Sequence, residues 1–207
     1  MIKRIIFDFD NTLMPWKEEY KGAIKKAILR HQIDADYRIV NKLVDDYENT
    51  VDHQDKYLLL DYINAHINNP LTIEVIDDFF LYIGEMSDVY EETNELLEYL
   101  SSKYELVVLT RWFLEPQIKR LEHADMLKYM KDVYGGDLVM KPAKEAFLKA
   151  CGNYDPSECV MIGDTYNIDI EPASKCGLNV IYYNYKNKDN PGGFDSIKEL
   201  KELKKIF

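Results

Sequence analysis

Lys3-Arg4-Ile5-Ile6-Phe7-Asp8-Phe9-Asp10-Asn11-Thr12 is the stretch from which the rest of the chain can be read. Ile5, Ile6, Phe7 and Phe9 form a compact apolar, β-prone run, the pattern of a strand buried on both faces in a parallel sheet. Such a strand has no interior room for charge, yet Asp8 and Asp10 follow at once. Two carboxylates at the carboxyl end of a buried strand lie where open α/β sheets bind ligands. Being two apart, they point to the same side while the chain remains extended.

The design recurs twice. The run from Tyr104 to Leu109 ends in Thr110-Arg111, and Cys159-Val160-Met161-Ile162 ends in Gly163-Asp164, with Asp169 following in the next turn. Three buried strands thus deliver acids, a hydroxyl and a cation to one prospective rim. Lys141, in Val139-Met140-Lys141-Pro142 just before a helical pattern, is the natural fourth contributor. That constellation points to an enzyme.

Between these strands the periodicity is helical. From Trp16 to about residue 88 no strand pattern occurs. Trp16, Tyr20, Ala23/Ile24 and Ala27/Ile28 recur at helical spacing opposite Lys17, Lys21, Lys25 and Lys26, a row read as a solvated face. Ile39, Leu43, Tyr47 and Val51 mark a second helix, and 57–67 a third that ends at Asn68-Asn69-Pro70. Thr72 reads as the N-cap of a fourth, whose apolar face runs from Val75 to Ile83. Four helices inserted directly after the first strand predict a small bundle over that strand's carboxyl end.

After residue 88 strands and helices alternate. Helices are expected at 91–102, near 113–123, at 143–151, 168–176 and 196–206. Strands are expected at 104–109, 132–134, 158–162 and 179–183. This alternation predicts an α/β fold with a parallel, doubly wound sheet. Gly152 and Gly177 fall where helix C-caps belong.

Composition is that of a globular protein, 46% hydrophobic and 30% charged over 207 residues, enough for one domain or a core with a smaller accessory unit. A formal net charge of −11 argues against a sequence-independent nucleic-acid binder, which needs clustered Lys and Arg. It also requires an anionic substrate to be held by local cations against the overall field. Cys151, Cys159 and Cys176 lack CxxC spacing and read as buried, reduced thiols, which argues against a redox protein and suits a cytoplasmic one. The chain enters its first strand directly, leaving no room for a signal peptide, and no apolar run approaches membrane-spanning length. His31, His53, His66 and His123 have no metal-ligand spacing.

Taken together, Asp8-Phe9-Asp10-Asn11-Thr12, Thr110, Lys141 and Gly163-Asp164 with Asp169 resemble motifs I to IV of the haloacid dehalogenase superfamily, in their usual order. The resemblance runs from residue 2 to about 182 and is firmest outside 14–88. It implies a Rossmann-like core of residues 1–13 and 89–207, with residues 14–88 as an inserted all-α cap of the C1 type that closes over the site and chooses the substrate.

The resemblance also implies roles. Asp8 would be the nucleophile, forming an aspartyl-phosphate, and Asp10 the acid and base that serves the leaving alkoxide and then the attacking water. Thr110, the backbone N–H of Arg111, and Lys141 would hold phosphate oxygens, with the Arg111 side chain either on the substrate or in a surface salt bridge. Mg²⁺ would be held by Asp8, the carbonyl of Asp10, and Asp164, with Asp169 binding it directly or through water. Independently of the resemblance, crowded carboxylates need a cation, and an oxygen-only donor set suits Mg²⁺.

Departures are Asn11 where Gly is common, Thr110-Arg111-Trp112 in place of Thr-Asn-Gly, and Glu171-Pro172-Ala173 after motif IV. None removes a catalytic group. The expected function is hydrolysis of a small organic phosphomonoester. Its alternatives are a phosphomutase or a non-catalytic phosphometabolite-binding protein on the same fold. Thr12 is expected to brace the first loop, Gly163 to permit close backbone approach, and Trp16, Lys17 and Tyr20 to pack within the helical unit rather than line its mouth.

Overall fold

The computed structural model describes residues 1–207, the side chain of Glu19 excepted. Six strands form one parallel sheet: β1 (Arg4–Phe7), β2 (Glu105–Leu109), β3 (Met130–Tyr134), β4 (Cys159–Gly163), β5 (Asn179–Tyr183) and β6 (Ser196–Ile197). Their order is β3-β2-β1-β4-β5-β6. β1 is therefore central, and the winding reverses beside it. Phe7 is in register with Val108 of β2 and with Ile162 of β4, so the three strands end level. Asp8, Thr110 and Asp164 emerge together at the switch point where such sheets bind ligands.

The alternation within β1 divides the core. Ile5 and Phe7 pack on one face with Leu96, Leu97, Leu121 and Leu203, whereas Ile6 packs on the other with Ala146, Phe147 and Ala150. Side chains of successive strand residues point to opposite faces, so an all-apolar strand with helices on both sides is the result.

Four helices, α1 (Gly22–Arg30), α2 (Tyr37–Glu48), α3 (Lys56–Asn64) and α4 (Ile73–Gly84), lie between β1 and the first sheet-flanking helix, α5 (Thr93–Ser101). The Asp36 carboxylate caps α2 by accepting from the Arg38 N–H, and Asp55 caps α3 by accepting from the N–H groups of Tyr57 and Leu58. The four helices share an apolar core, into which Trp112 and Phe113 reach from the loop after β2. The remaining helices are α6 (Leu114–His123), α7 (Lys144–Cys151), α8 (Glu171–Lys175) and α9 (Leu203–Ile206). Among the described residues, no helix is long and apolar enough to cross a membrane.

Several sequence expectations are corrected. The buried face of α2 is Val40, Leu43, Val44 and Tyr47; Ile39 is 52% exposed, and Val51 lies beyond the helix end. Residues strictly four apart drift about 40° per step around a helix, so a row read at that spacing walks off the buried face. The expected helix at 196–206 begins as β6, with Ile197 beside Tyr183, and turns helical only at Leu200. A two-residue edge strand carries no readable alternation, and its pairing is decided by the neighbouring strand. The expected helix at 168–176 starts as a π-turn, Tyr166–Ile170, before α8. Cys176 is half-buried rather than buried, whereas Cys151 and Cys159 are buried in the same apolar cluster.

Candidate active site

A cavity of about 290 Å³ opens where the carboxyl ends of β1, β2 and β4 face the helical insert. Asp8, Asp10, Thr110, Arg111, Lys141, Asp164 and Asp169, the residues singled out from sequence, all line it. The insert contributes Trp16, Tyr20, Lys21, Asn41, Asp45 and Glu48 to the opposite wall.

At the centre Lys141, 1% exposed, donates to Asp8 Oδ1 at 2.7 Å and to Asp169 Oδ1 at 2.6 Å. Burial alone would push this ammonium down, but the two carboxylates outweigh it and hold its pKa above the ordinary lysine value. The other oxygen of Asp8 accepts from the Thr12 hydroxyl at 2.9 Å, which fixes the carboxylate plane. Asn11 makes this turn possible by adopting a left-handed φ of 61°. Asp169 stands on the π-turn, where the Thr165 N–H donates to its Oδ2 at 3.0 Å. It packs so tightly on Gly163 that a Cβ there would lie 2.6 Å from the carboxylate, the close approach expected of this glycine.

Asp8, Asp164 and Asp169 offer carboxylate oxygens that all lie within 4.8 Å of one another. Burial, and then the charge of Asp8, push the Asp164 carboxyl above its usual range. Burial pushes Asp169 up further, to about 7, although Lys141 pulls the other way. Three converging acids facing one ammonium form an oxygen-only donor set with a deficit of positive charge, and these residues fit a hard divalent cation.

Asp10 occupies different surroundings. Its Oδ1 accepts from Arg120 Nη1 at 2.5 Å and its Oδ2 from Gln117 Nε2 at 2.6 Å. Gln117 and Arg120 are fully buried on α6 and did not emerge from the motif reading. A signal was present: with Phe113 and Leu121 they occupy the core-facing row of an amphipathic helix, where polar side chains are out of place unless they serve a partner. Gln117 also donates to Thr110 Oγ1 at 3.3 Å, and the Trp112 N–H donates to the same oxygen at 3.2 Å. With two donors on its lone pairs, the Thr110 hydroxyl proton is left to donate elsewhere.

Arg111 does not stand free. Its Nη2 donates to the Glu48 carbonyl at 3.1 Å, and its Nε lies 3.7 Å from the Glu48 carboxylate, joining the loop after β2 to the end of α2. Burial pushes the Glu48 carboxyl up, opposed by Arg111. Tyr20 both packs in the insert's core and lines the cavity, and Trp16 lines it from the rim, so the two readings of these residues coincide. Lys17 instead pairs with Asp88 at 2.9 Å. Lys21, expected on a solvated face, turns toward the cavity and pairs with Glu18.

The four motif segments thus meet at one rim, and the sequence profile agrees: the haloacid dehalogenase-like hydrolase model matches residues 2–177. The chain belongs to the haloacid dehalogenase-like hydrolases. This hydrolase is 29% identical over 206 residues to glyceraldehyde 3-phosphate phosphatase of Pyrococcus abyssi, a match covering 89% of this chain and 82% of the relative. Its fold is similar to the magnesium-bound HAD-hydrolase YfnB of Bacillus subtilis, with a TM-score of 0.73 at 18% identity over 99% and 98% of the two chains. It is likewise similar to 2-haloacid dehalogenase of Pseudomonas syringae pv. tomato, with a TM-score of 0.76 at 20% identity over 100% and 98%. At these identities the two structures speak for the fold alone.

Proposed function

We propose that this hydrolase is a Mg²⁺-dependent phosphatase of a small organic phosphomonoester, with Asp8 as nucleophile. The observation that carries this reading is the contrast between the two carboxylates of one strand end. Asp8 is braced by Lys141 and Thr12 among the acids, whereas Asp10 turns to Arg120 and Gln117. One carboxylate is set to attack, and the other stays clear to handle a proton.

An Asp8 oxygen forms a bond to phosphorus as the P–O ester bond breaks, and Asp10 gives its proton to the departing alkoxide. Water then attacks the aspartyl-phosphate, Asp10 takes back a proton, and the Asp8–phosphorus bond breaks to release inorganic phosphate. Lys141 neutralises phosphate oxygens, and the Thr110 hydroxyl and the Arg111 N–H donate to them. Asp8, Asp164, the Asp10 carbonyl and Asp169 would hold Mg²⁺, which when bound supplies positive charge against the phosphate oxygens. A dehalogenase would have no use for this acid cluster or for a proton-handling Asp10.

We further propose that residues 14–88 act as a cap of the C1 type on a core of 1–13 and 89–207. The support is that the insert has its own apolar core and forms one wall of the cavity. A roofed cavity of about 290 Å³ suits a metabolite-sized ester, not a polymer or phosphoprotein. The P. abyssi relative brings triose phosphates to the head of a substrate panel.

The test is phosphate release from 4-nitrophenyl phosphate and from glyceraldehyde 3-phosphate, with Mg²⁺ and with excess EDTA, beside Asp8→Asn. Activity that needs Mg²⁺ and vanishes in the variant is expected. Turnover that survives EDTA or the Asp8→Asn change would sink the reading.

A further inference from the structure

Arg120 is the largest fully buried side chain in the molecule, and none of the four motifs includes it. Every part of its guanidinium is engaged. Nη1 donates to Asp10 Oδ1 at 2.5 Å and to Gln117 Oε1 at 2.8 Å. Nε donates to the Met86 carbonyl at 3.0 Å, and Nη2 reaches the Pro15 carbonyl at 3.4 Å. The rings of Phe9, Tyr20 and Trp16 surround it, with centroids at 4.7, 5.3 and 5.6 Å.

Pro15 and Met86 belong to the two strands of chain that leave the sheet for the helical insert and return from it. Beside them, Asp88 accepts from the Tyr20 hydroxyl at 2.8 Å and pairs with Lys17 at 2.9 Å, so the two crossings are tied to each other. The side chain that grips Asp10 is itself gripped by both linkers. Burying a cation completely is costly unless its partners are fixed. The shortest of its contacts, at 2.5 Å, is to the Asp10 carboxylate, which lines the cavity. That carboxylate is a quarter exposed, and its other oxygen is held by Gln117 Nε2, which Arg120 itself fixes through Oε1.

We infer that Arg120 is a positioning residue for Asp10, holding its carboxylate at the bond where the leaving-group oxygen must receive a proton. The inference rests on the phosphatase reading and adds to it the group that aims the proposed acid. Its guanidinium fork fixes two acceptors at set angles, which an ammonium does not do. Asp10 held in this way delivers its proton along one direction, and Asp10 without Arg120 samples several.

The test is the dependence of kcat/KM on leaving-group basicity, measured with a series of substituted phenyl phosphates from 4-nitrophenyl to phenyl. These substrates share the phenyl phosphate scaffold and differ in one ring substituent, and the more basic the leaving group the more it depends on a proton. In Arg120→Met, phenyl phosphate is expected to lose about tenfold to a hundredfold while 4-nitrophenyl phosphate loses only a few-fold, so the slope steepens. Arg120→Lys keeps the charge and one donor, and is expected to fall between Met and wild type.

Where Arg120→Met does not fold, Arg120→Lys and Arg120→Gln decide through the same slope. A folded variant whose slope equals that of the wild type, whatever its absolute rate, overturns the inference and leaves the phosphatase reading intact. A wild-type protein that hydrolyses none of the series with Mg²⁺ removes the phosphatase reading, and the inference with it.

Discussion

The two walls of the cavity are built to different standards. On the sheet side Asp8, Lys141 and Asp169 are nearly sealed, and contacts of 2.6 to 2.9 Å fix each of them. On the insert side Asn41, Asp45 and Glu48 come from one helix at helical spacing, and they are more open. Strand ends held in register by neighbouring strands leave little freedom, whereas a helix face can be re-decorated without disturbing what supports it. Under the proposed function the rim would carry the chemistry and α2 the recognition.

The hardest test of that division is Asp8→Asn, which is expected to lower phosphate release by at least about 10³-fold with the fold retained by circular dichroism. Next is Lys141→Met. It strands two buried carboxylates, and urea unfolding of the metal-free protein is expected to show a loss of about 3–5 kcal/mol. A loss below about 1 kcal/mol would mean that the rim relaxes as easily as a surface, and the contrast would fail.

Mg²⁺ sharpens the comparison. The folded Asp169 carboxyl, near 7, lies above its unfolded value of about 3.9, so the folded state binds more protons. The metal-free protein should lose stability as pH rises from about 4 through about 7. Mg²⁺ requires the carboxylate, so it should stabilise more at pH 8 than at pH 6. At a hundredfold excess over its Kd the expected rise in Tm is about 5–10 °C. A thermal-shift series at the two pH values checks this, and Asp164→Asn should abolish the rise.

The smallest effect belongs to α2. Glu48→Gln removes a negative charge facing the site and the ion pair with Arg111, while the Arg111 bond to the residue-48 carbonyl stays, so inorganic phosphate should inhibit at about threefold lower concentration, roughly 0.6 kcal/mol. Stability should barely change. A larger loss of stability than in Lys141→Met would reverse the assignment of the two walls.

What was legible follows the same line. Asp8, Thr110, Lys141 and Asp164 could be found because each ends an apolar run or precedes a helix, and local pattern marks such places. Gln117 and Arg120 could not be found by motif, since their meaning lies in a contact with Asp10 across more than a hundred residues. Ile39 was misjudged because a spacing of four drifts off a helix face, and Ser196–Ile197 because two residues are too few to show a period.

The sequence by itself determined the α/β class, the parallel sheet and the acids at its rim, because burial on both faces of a strand leaves an unbroken apolar run that charge can interrupt only at the end. Only the tertiary structure decided which groups hold those acids. Arg120 on Asp10, Lys141 between Asp8 and Asp169, and Glu48 against Arg111 are pairings between distant elements. Such partners are chosen by how the layers pack, and spacing along the chain carries no record of that choice.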